Sequence, residues 1–325
     1  MRYFCTYFDR HYVPRALVMF ESLSRCSKEE IHLFALCLDA ESHKLLSEAN
    51  LSNVTLVSLD ELEQAHPELL ATKAGRSKVE YYYTCGPSFL LYLLETHPTI
   101  DLLTYLDSDL YFFADPKPLF GEVQGHSIGI IEHRLPKKLE SFKRFGTYNV
   151  GWVSFRRSEP GIECLQWWAD RCIEWCYDHV ESSRFADQKY LDEFPTRFKA
   201  VRVIQHKGAN LAPWNVANYR IMKGDDSVMV DEQPLIFFHF QGFKMIRPWL
   251  FDTNFGWYKV SPSAVVRQSI VRPYIRELKQ ASRTMNRAQT IRARSRGFGW
   301  FTRFGRTVVG ISFGLIHRAY IVSFR

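Results

Sequence analysis

The sequence predicts an α/β fold in which helices cover a mixed, mostly parallel central sheet. Strand-like apolar segments alternate with segments of helical apolar spacing through the first 60 residues, as in βαβ units. A short apolar run then ends at Asp107 and Asp109, as expected of a strand covered on both faces. No internal repeat or low-complexity linker precedes residue 280, so we predict one domain over residues 1–260 and an extension over residues 261–325.

The individual elements follow from apolar spacing. The strand-like segments are 2–8, 31–38, 54–59, 101–106, 127–131, 149–155 and 235–240. The segments with helical spacing are 13–23, 41–49, 81–95 and 162–180. This alternation favours a parallel sheet, because two parallel strands need a crossover of a dozen or more residues between them.

Composition narrows the class of protein. With 325 residues and 46% hydrophobic content, the chain can bury a large core, which excludes a disordered protein. Seven cysteines, scattered and mostly within apolar stretches, predict reduced core thiols. The N-terminus starts with a strand-like run and lacks a signal-peptide pattern, which predicts a cytoplasmic protein. No window reaches the ~18 consecutive apolar residues of a spanning helix.

Basic charge is concentrated at the C-terminus. Residues 272–325 hold twelve Lys or Arg and one acid, Glu277, a net charge of +11, whereas the whole chain carries +7. Residues 281–296 are basic and compatible with a helix, and residues 297–325 mix aromatic side chains with arginines. This composition predicts peripheral contact with an anionic membrane surface, on the inner face of the cell membrane. The alternatives are a basic helix packed on the domain and a disordered end.

Nucleic acid is not an expected partner, because no nucleic-acid-binding motif accompanies the basic charge.

Asp107 and Asp109 stand one residue apart where the strand at 101–106 ends. Open α/β sheets bind ligands beyond the carboxyl ends of their strands. Mg²⁺ and Mn²⁺ prefer oxygen ligands and take one or two protein carboxylates, which leaves positions for water and substrate phosphates. The pair therefore predicts a divalent cation that a nucleotide diphosphate completes. The alternative is a solvated turn between strand and loop.

His239 lies at the end of another apolar strand, with Gly242 and Lys244 just beyond it. A neutral imidazole can complete a carboxylate metal site, and a lysine can meet a phosphate as a point charge. The alternative is a structural histidine whose hydrogen bonds are satisfied within the protein.

Four motifs together resemble a GT-A fold nucleotide-sugar glycosyltransferase, closest to glycosyltransferase family 8 and its uncharacterised bacterial relatives. They are TYLDSDLYFF at 104–113 with Asp115-Pro116, YNVGW at 148–152, DQKYL at 187–191, and HFQG at 239–242. They occur in the family's order and cover residues 1 to about 250. The resemblance implies a GT-A fold and retaining transfer of a sugar from a UDP-hexose to a glycan or lipid-linked acceptor. Together with this activity, the basic aromatic tail suggests an acceptor at the inner membrane face, in the synthesis of lipopolysaccharide or another cell-surface polysaccharide.

The resemblance implies a role for each matching residue. Asp107 and Asp109 match the metal-binding Asp-x-Asp, and His239 matches the third metal ligand. The donor site is implied to contain Thr6, Tyr7, Asp9, Tyr12, Arg76, Asp107, Ser108, Gly242 and Lys244. The reaction centre is implied to contain Asn149, Asp187 and Gln188, which orient sugar hydroxyls, and Asp187 is the candidate nucleophile. The residues by themselves also permit Asp187 as a helix cap and Asn149 as part of a turn.

The chain departs from the family after His239. The family has a lysine six residues on, followed by Pro-Trp, whereas Lys244 is five residues on and Arg247 precedes Pro248-Trp249 here. Either Lys244 or Arg247 is therefore the expected partner of the diphosphate, with Lys244 slightly favoured.

Two other classes of protein are alternatives to this interpretation. A sugar-phosphate nucleotidyltransferase shares the sheet topology but needs a glycine-rich phosphate loop near the N-terminus, and residues 1–30 contain no glycine. A non-catalytic membrane adaptor would act through its basic tail. It predicts that Asp107→Ala changes nothing, while removal of residues 281–325 abolishes function.

Overall fold

The computed structural model describes residues 1–225, 227–293 and 320–322. The strands, in chain order, are β1 (Arg2–Phe8), β2 (Ile31–Cys37), β3 (Val54–Ser58), β4 (Leu102–Leu106), β5 (Leu110–Phe112), β6 (Ile128–Glu132), β7 (Tyr148–Arg156), β8 (Val201–Ile204), β9 (Ile221–Lys223), β10 (Val228–Val230), β11 (Gln233–Pro234), β12 (Phe237–His239), β13 (Lys244–Arg247), β14 (Leu250–Asp252) and β15 (Tyr320–Val322).

The α-helices are α1 (Val13–Cys26), α2 (Ala40–Ala49), α3 (Leu59–Ala65), α4 (Pro67–Thr72), α5 (Lys78–Thr96), α6 (Lys117–Val123), α7 (Glu159–Glu174), α8 (Phe194–Arg197) and α9 (Arg272–Ala293). Short 3₁₀ segments lie at Lys73–Gly75, Lys137–Phe145, Lys189–Glu193 and Val216–Asn218, and a π-helical segment at Val266–Val271 leads into α9. Three helices begin with a capping box, in which a side chain and the first-turn backbone exchange hydrogen bonds; the caps are Asp39, Ser58 and Ser77.

The central sheet has seven strands in the order β3-β2-β1-β4-β7-β6-β8. Strands β3, β2, β1 and β4 are mutually parallel, β7 is antiparallel to both its neighbours, and β8 is parallel to β6. This confirms the predicted mixed, mostly parallel sheet. Since β7 runs against β4, the first residues of β7 and the residues that follow β4 meet at the same edge of the sheet.

A second strand pairing completes that edge. Strand β12 pairs antiparallel with β5, and the register sets His239 opposite Leu110. The backbone N–H of Phe240 also donates to the carbonyl of Asp109, at 3.0 Å. The histidine that is 130 residues away in sequence therefore lies beside the two aspartates.

The predicted strands and helices are present, with ends that differ by at most three residues except for one helix. The helix predicted over 162–180 ends at Glu174 instead. The carbonyl of Trp175 accepts a hydrogen bond from the hydroxyl of Tyr190 at 2.7 Å, and the N–H of Asp178 donates to Glu80 at 2.9 Å. These tertiary bonds replace the helical ones, and apolar spacing alone does not reveal them.

The first part of the predicted extension packs on the domain. Tyr274 is fully buried, and its ring stacks on Phe240 with centroids 3.7 Å apart. Ile270 and Leu278 join the same apolar cluster, and Glu277 accepts a hydrogen bond from Tyr111 at 2.7 Å. The turn that follows His239 is thereby supported from behind by α9. The functional division at residue 260 stays a prediction.

The end of the chain lies largely outside the description. Residues 294–319 and 323–325, with most of the basic aromatic segment on which the membrane prediction depends, are outside the described residues. Strand β15 pairs antiparallel with β14. Among the described helices, none combines the length and apolar character that crossing a membrane requires. The seven cysteines are free thiols, six of them buried, which confirms the prediction of reduced core thiols.

Candidate active site

Three metal-ligating side chains meet at the edge where β4, β5 and β12 end. One ligand atom from each of Asp107, Asp109 and His239 lies within 4.8 Å of the others. His239 Nε2 is 3.4 Å from Asp107 Oδ2 and 3.1 Å from Asp109 Oδ1. His239 and Asp109 are buried, whereas Asp107 is partly exposed and accepts a hydrogen bond from the Tyr105 hydroxyl at 2.8 Å. Two carboxylates and an imidazole form a donor set suited to Mn²⁺ or Mg²⁺, so the residues fit the predicted ion.

The electrostatics of this cluster depend on mutual compensation. Burial alone would lower the pKa of His239, but the carboxylates of Asp109 and Asp107 raise it above its usual value. Burial likewise opposes ionisation of Asp109, yet the charges of His239 and Arg15 hold the pKa of Asp109 below its usual value. For Asp107, burial and the neighbouring Asp109 raise the pKa. A cation in the cluster would take the place of the proton that His239 holds without it.

Asn149 orients the imidazole of His239. Its side-chain oxygen lies 3.1 Å from His239 Nδ1 and accepts the backbone N–H of Gly151 at 3.2 Å. A backbone N–H can only donate, so this contact identifies the oxygen of the amide and places the proton of His239 on Nδ1. Nε2 faces the two carboxylates, so it carries the further proton that His239 holds while no cation is bound, and its lone pair would face a bound cation.

Gly151 is required by close approach. A Cβ at this position would lie 2.6 Å from the side-chain oxygen of Asn149 and 2.9 Å from His239 Cε1. The carbonyl of Gly151 also accepts the backbone N–H of Asp107, at 3.1 Å. Within the sequence motif, Asn149 is thus the hydrogen-bond partner of His239, and Gly151 leaves room for that contact because it has no Cβ.

One cavity of about 440 Å³ joins the metal cluster to the predicted reaction centre. This volume falls within the range of small-molecule sites, ~300–1,000 Å³. The predicted residues that line it are Tyr7, Asp107, Asn149, Asp187, Gln188 and His239. Asp109 does not line it; its carboxylate lies 3.1 Å from His239 Nε2. Residues from four separate sequence motifs therefore share one opening.

Asp187 and Gln188 enter the cavity from the segment before the 3₁₀ helix Lys189–Glu193. That helix has no side-chain cap, so the geometry does not use Asp187 as one. Asp187 is buried; burial and the nearby Asp107 raise the pKa of its carboxyl to about 8. The amide of Gln188 donates to the carbonyl of Phe145 at 2.9 Å and accepts from Asn149 at 3.3 Å. The preceding Ala186 has φ of 46°, a strained left-handed conformation that aims both side chains.

The remaining predicted donor residues do not line this cavity. Thr6 and Ser108 are buried, and Tyr12 is largely exposed with the Arg15 guanidinium 4.6 Å from its ring centre. Asp9 accepts the N–H of His11 and pairs with Lys78 at 3.1 Å.

Arg76, Gly242 and Lys244 also lie away from the cavity. Arg76 donates to the Thr84 hydroxyl and to the carbonyl of Ile173 at the end of α7. Gly242 has φ of 72° in the turn after β12, and Lys244 is exposed at the start of β13. Their roles in donor binding stay predictions.

An aromatic wall, defined as Phe142, Phe145, Phe185, Trp214, Trp257 and Tyr258, was not predicted. All six line the cavity. Five of the six rings follow one another at centroid distances of 4.9–5.9 Å, and Trp214 lies 5.3 Å from the ring of His239. Trp257 is 70% exposed. The carboxylates of Asp107, Asp178 and Asp187 line the same cavity.

One feature of the sequence could have indicated part of this wall, namely the position of a connecting segment. Residues 133–147 connect two predicted strands, and connections beyond the ends of sheet strands form ligand sites in α/β folds. That position would have directed attention to Phe142, Phe145 and His133. The other wall residues come from distant segments, and no spacing links them.

Arg15 is a second residue that the sequence analysis missed. Its guanidinium donates to the carbonyl of Phe243 at 2.9 Å, next to Lys244. Its charge helps to keep Asp109 ionised. One arginine on α1 thus connects the metal cluster with the segment that carries the predicted phosphate partner.

The fold and its edge site define the class as proteins of the GT-A fold of glycosyltransferases. The solved galactosyltransferase LgtC, in complex with donor and acceptor sugar analogues, matches with a TM-score of 0.54 and 18% identity. The match covers 86% of this chain and 95% of that chain. At this identity the likeness concerns the fold. No protein-family model matches the chain.

The sequence relatives identify the family. The uncharacterized protein YfnD of Bacillus subtilis (strain 168) is 34% identical over 283 residues, which cover 86% of this chain and 89% of YfnD. The uncharacterized protein YfnF of the same strain is 31% identical over 251 residues, with 75% and 82% covered. The chain belongs to the family of YfnD and YfnF.

The raised pKa of Asp187 predicts a pH dependence of stability. In an unfolded chain an aspartate titrates near ~3.9. Between that value and about 8, the folded protein holds a proton that the unfolded chain has lost, so the free energy of unfolding falls as the pH rises. Asp187→Asn removes this titration. We expect the free energy of unfolding, measured with urea in the presence of EDTA, to fall less steeply from pH ~5 to ~8 in this variant than in the wild type.

The exposed Asp60→Asn serves as the control and is expected to keep the wild-type slope. Equal slopes for the wild type and Asp187→Asn would contradict the raised pKa.

Proposed function

We propose that the protein is a metal-dependent glycosyltransferase that moves a sugar from a nucleotide diphosphate donor, a UDP-hexose, to a glycan or lipid-linked acceptor. One observation carries this proposal: Asp107 and His239, two members of the cluster that Asp109 completes, line the same cavity as Asp187 and Gln188. The part of the site that binds the phosphates and the part that binds the sugar would then lie next to each other. LgtC, with which the chain shares its fold, is a galactosyltransferase bound to donor and acceptor sugar analogues, which supports the proposal.

The chemistry of transfer needs positive charge at the leaving group. Breaking the bond between the sugar and the diphosphate builds negative charge on the phosphate oxygen. A divalent cation, Mn²⁺ or Mg²⁺, supplies Lewis-acid stabilisation of that charge when bound. Asp107, Asp109 and His239 would hold it, and Lys244 or Arg247 would pair with the phosphates. His239 can serve as a ligand because its proton lies on Nδ1, which leaves Nε2 available.

The sugar side of the cavity pairs apolar surface with carboxylates. Sugar rings present C–H faces that pack on aromatic rings, and hydroxyls that donate to carboxylates. The aromatic wall offers the first kind of surface, and Asp178 and Asp187 offer the second. Trp257, which is 70% exposed, is placed to be covered by an acceptor. These features favour a carbohydrate acceptor.

Asp187 and Gln188 are our candidates for catalytic residues. Both line the cavity next to Asp107. By the family resemblance, transfer retains the anomeric configuration, and Asp187 is the side chain to test as nucleophile. This role needs its ionised form, which a cation bound beside Asp107 would favour over the protonated form that burial and Asp107 favour without it. Asn149 lies in the same cavity, but its amide is engaged with His239, Gly151 and Gln188, so we propose that it acts through those partners.

Donor hydrolysis tests the proposal. Purified protein is incubated with UDP-, GDP-, dTDP- and CMP-sugars, with and without Mn²⁺, and released nucleotide is measured. We expect Mn²⁺-dependent release from a UDP-hexose and a loss of at least ~10²-fold in Asp109→Ala, because a preorganised charge partner is removed. Asp60→Ala is the surface control. If neither metal-dependent release nor metal-dependent nucleotide binding occurs, the enzyme proposal is wrong and the adaptor interpretation takes its place.

The same assay separates the two candidates for the phosphate partner. Arg15 donates to the carbonyl of Phe243, the residue before Lys244, and its charge also acts on Asp109, which favours Lys244. We expect Lys244→Ala to lower the rate of release ~10²- to 10³-fold, the usual cost of one oxyanion donor. Arg247→Ala is expected to change it less than ~10-fold. The reverse order would assign the phosphate to Arg247.

An acceptor at the membrane is proposed from the tail composition. Twelve basic residues against one acid suit contact with anionic lipid, and a lipid-linked glycan or lipopolysaccharide core at the inner face would be the acceptor. We expect the full-length protein to float with anionic vesicles at low salt, and a chain that ends at residue 293 to float less. Neutral vesicles are the control. Equal flotation of both chains, or none, would contradict the proposal.

A further inference from the structure

His133 lies in the cavity beside the metal cluster but contacts none of its three ligands in the contacts described. Its ring packs against Trp214, with centroids 5.3 Å apart. Its Nδ1 lies 3.1 Å from the carbonyl of Thr147, and its Nε2 lies 3.3 Å from the side-chain nitrogen of Asn149. The next contact, from Asn149 to His239 Nδ1, is 3.1 Å. A continuous chain of hydrogen bonds therefore runs from a backbone carbonyl to the third metal ligand.

The direction of each bond follows from backbone groups. A carbonyl can only accept, so Nδ1 of His133 carries the proton and Nε2 is an acceptor. That acceptor requires a donor, which assigns the nitrogen of the Asn149 amide to this side. The N–H of Gly151 requires an acceptor, which independently assigns the oxygen to the other side. Both constraints select the same orientation of Asn149.

Both the nitrogen and the oxygen of the Asn149 amide therefore make two hydrogen bonds each. Its nitrogen donates to His133 and to Gln188 Oε1, at 3.3 Å each. Its oxygen accepts from Gly151 and from His239 Nδ1, at 3.2 and 3.1 Å. A rotated amide would set its nitrogen against the N–H of Gly151, donor against donor, and would leave His133 Nε2 unpaired. The neutral ring at His133 therefore adds to the N–H of Gly151 in stabilising this one orientation.

We propose that His133 is a positioning residue which, through Asn149, fixes the tautomer and ring orientation of His239 so that Nε2 is free for the metal. The inference rests on the proposed metal-dependent function and adds a residue to it. Partners of ligating histidines typically contribute 10- to 100-fold to metal affinity. The same amide holds Gln188, so one histidine aligns the metal ligand and the sugar side of the cavity.

The backbone around His133 is held without its ring. The carbonyl of His133 accepts hydrogen bonds from Trp214 Nε1 at 2.8 Å and from the side chain of Asn215 at 2.9 Å. Its N–H donates to the Thr147 carbonyl at 3.0 Å. Substitution of the ring should therefore leave the segment in place. Burial lowers the pKa of His133 to about 4, in keeping with a neutral acceptor near pH 7.

Two variants separate the hydrogen bond from packing. His133→Phe keeps a ring against Trp214 but has no acceptor for Asn149. His133→Gln retains an acceptor at about the position of Nε2. We expect the affinity for Mn²⁺, measured on the full-length protein by electron paramagnetic resonance of free ion, to fall ~10- to 100-fold in His133→Phe. In His133→Gln it should stay within ~3-fold of the wild type, because the acceptor of the orienting bond is kept.

A metal-free readout accompanies the affinity. Nitrogen-15 spectra of labelled histidines in the metal-free protein report how fast the Nδ1 proton of His239, which donates to Asn149, exchanges with solvent. We expect slow exchange in the wild type and in His133→Gln, and faster exchange in His133→Phe, where the orientation of Asn149 is less well held. His32→Phe, in a ring contact with Phe34 and outside the cavity lining, is the control and should change neither readout.

The outcomes distinguish this inference from the function beneath it. If His133→Phe keeps the wild-type exchange rate of the His239 Nδ1 proton, or keeps the wild-type Mn²⁺ affinity, the inference is wrong. If the Mn²⁺ affinity of His133→Gln falls as far as that of His133→Phe, the role of His133 is packing and the inference is again wrong. If the wild type binds no Mn²⁺, the proposed metal dependence fails, and the exchange rates alone decide whether His133 orients His239.

Discussion

Repulsion between Asp107 and Asp109 is the constraint on which the site depends. Like charges one residue apart at a largely buried edge are costly, because little water screens them. The protein places His239 3.1 Å from Asp109, and the charge of Arg15 also acts on that carboxylate. The register in which β12 pairs with β5 sets His239 opposite Leu110 and so brings its imidazole to the two aspartates. A divalent cation would complete the compensation that the side chains begin.

Compensation by an imidazole works only if the ring is held in one orientation. Asn149 and Gly151 belong to β7, whose hydrogen bonds to β4 fix their positions against Asp107. The hydrogen-bonding groups that decide the amide orientation are therefore backbone groups of the sheet and the segment leading into it. Sites built on strands and supported by a second layer of hydrogen bonds keep their geometry without a ligand. Helix α9 adds support from behind, where Tyr274 stacks on Phe240, the residue after His239.

The cavity is lined by two chemically different kinds of group, and both suit the proposed transfer. Asp107 and His239 line it together with Asp187 and Gln188, and five rings of the aromatic wall follow one another from Trp214, beside His239, to Phe185. A phosphate at the metal cluster would enter a cavity that offers its sugar both carboxylates and aromatic rings. The exposed ring of Trp257 is the part of the wall that we propose an acceptor sugar covers.

The sequence by itself predicted six of the seven strands of the central sheet, and also the candidate metal ligands Asp107, Asp109 and His239, which the structure brings together. Apolar spacing and a carboxylate pair at a strand end are local signals. The sequence did not determine where the helix after Ser158 ends, since that depends on bonds from Tyr190 and Glu80. It did not reveal His133 or the aromatic wall, whose members share no spacing. Only the tertiary structure decided these, because strand register and side-chain packing bring together residues that are distant in the chain, and the orientation of an amide or an imidazole depends on such neighbours.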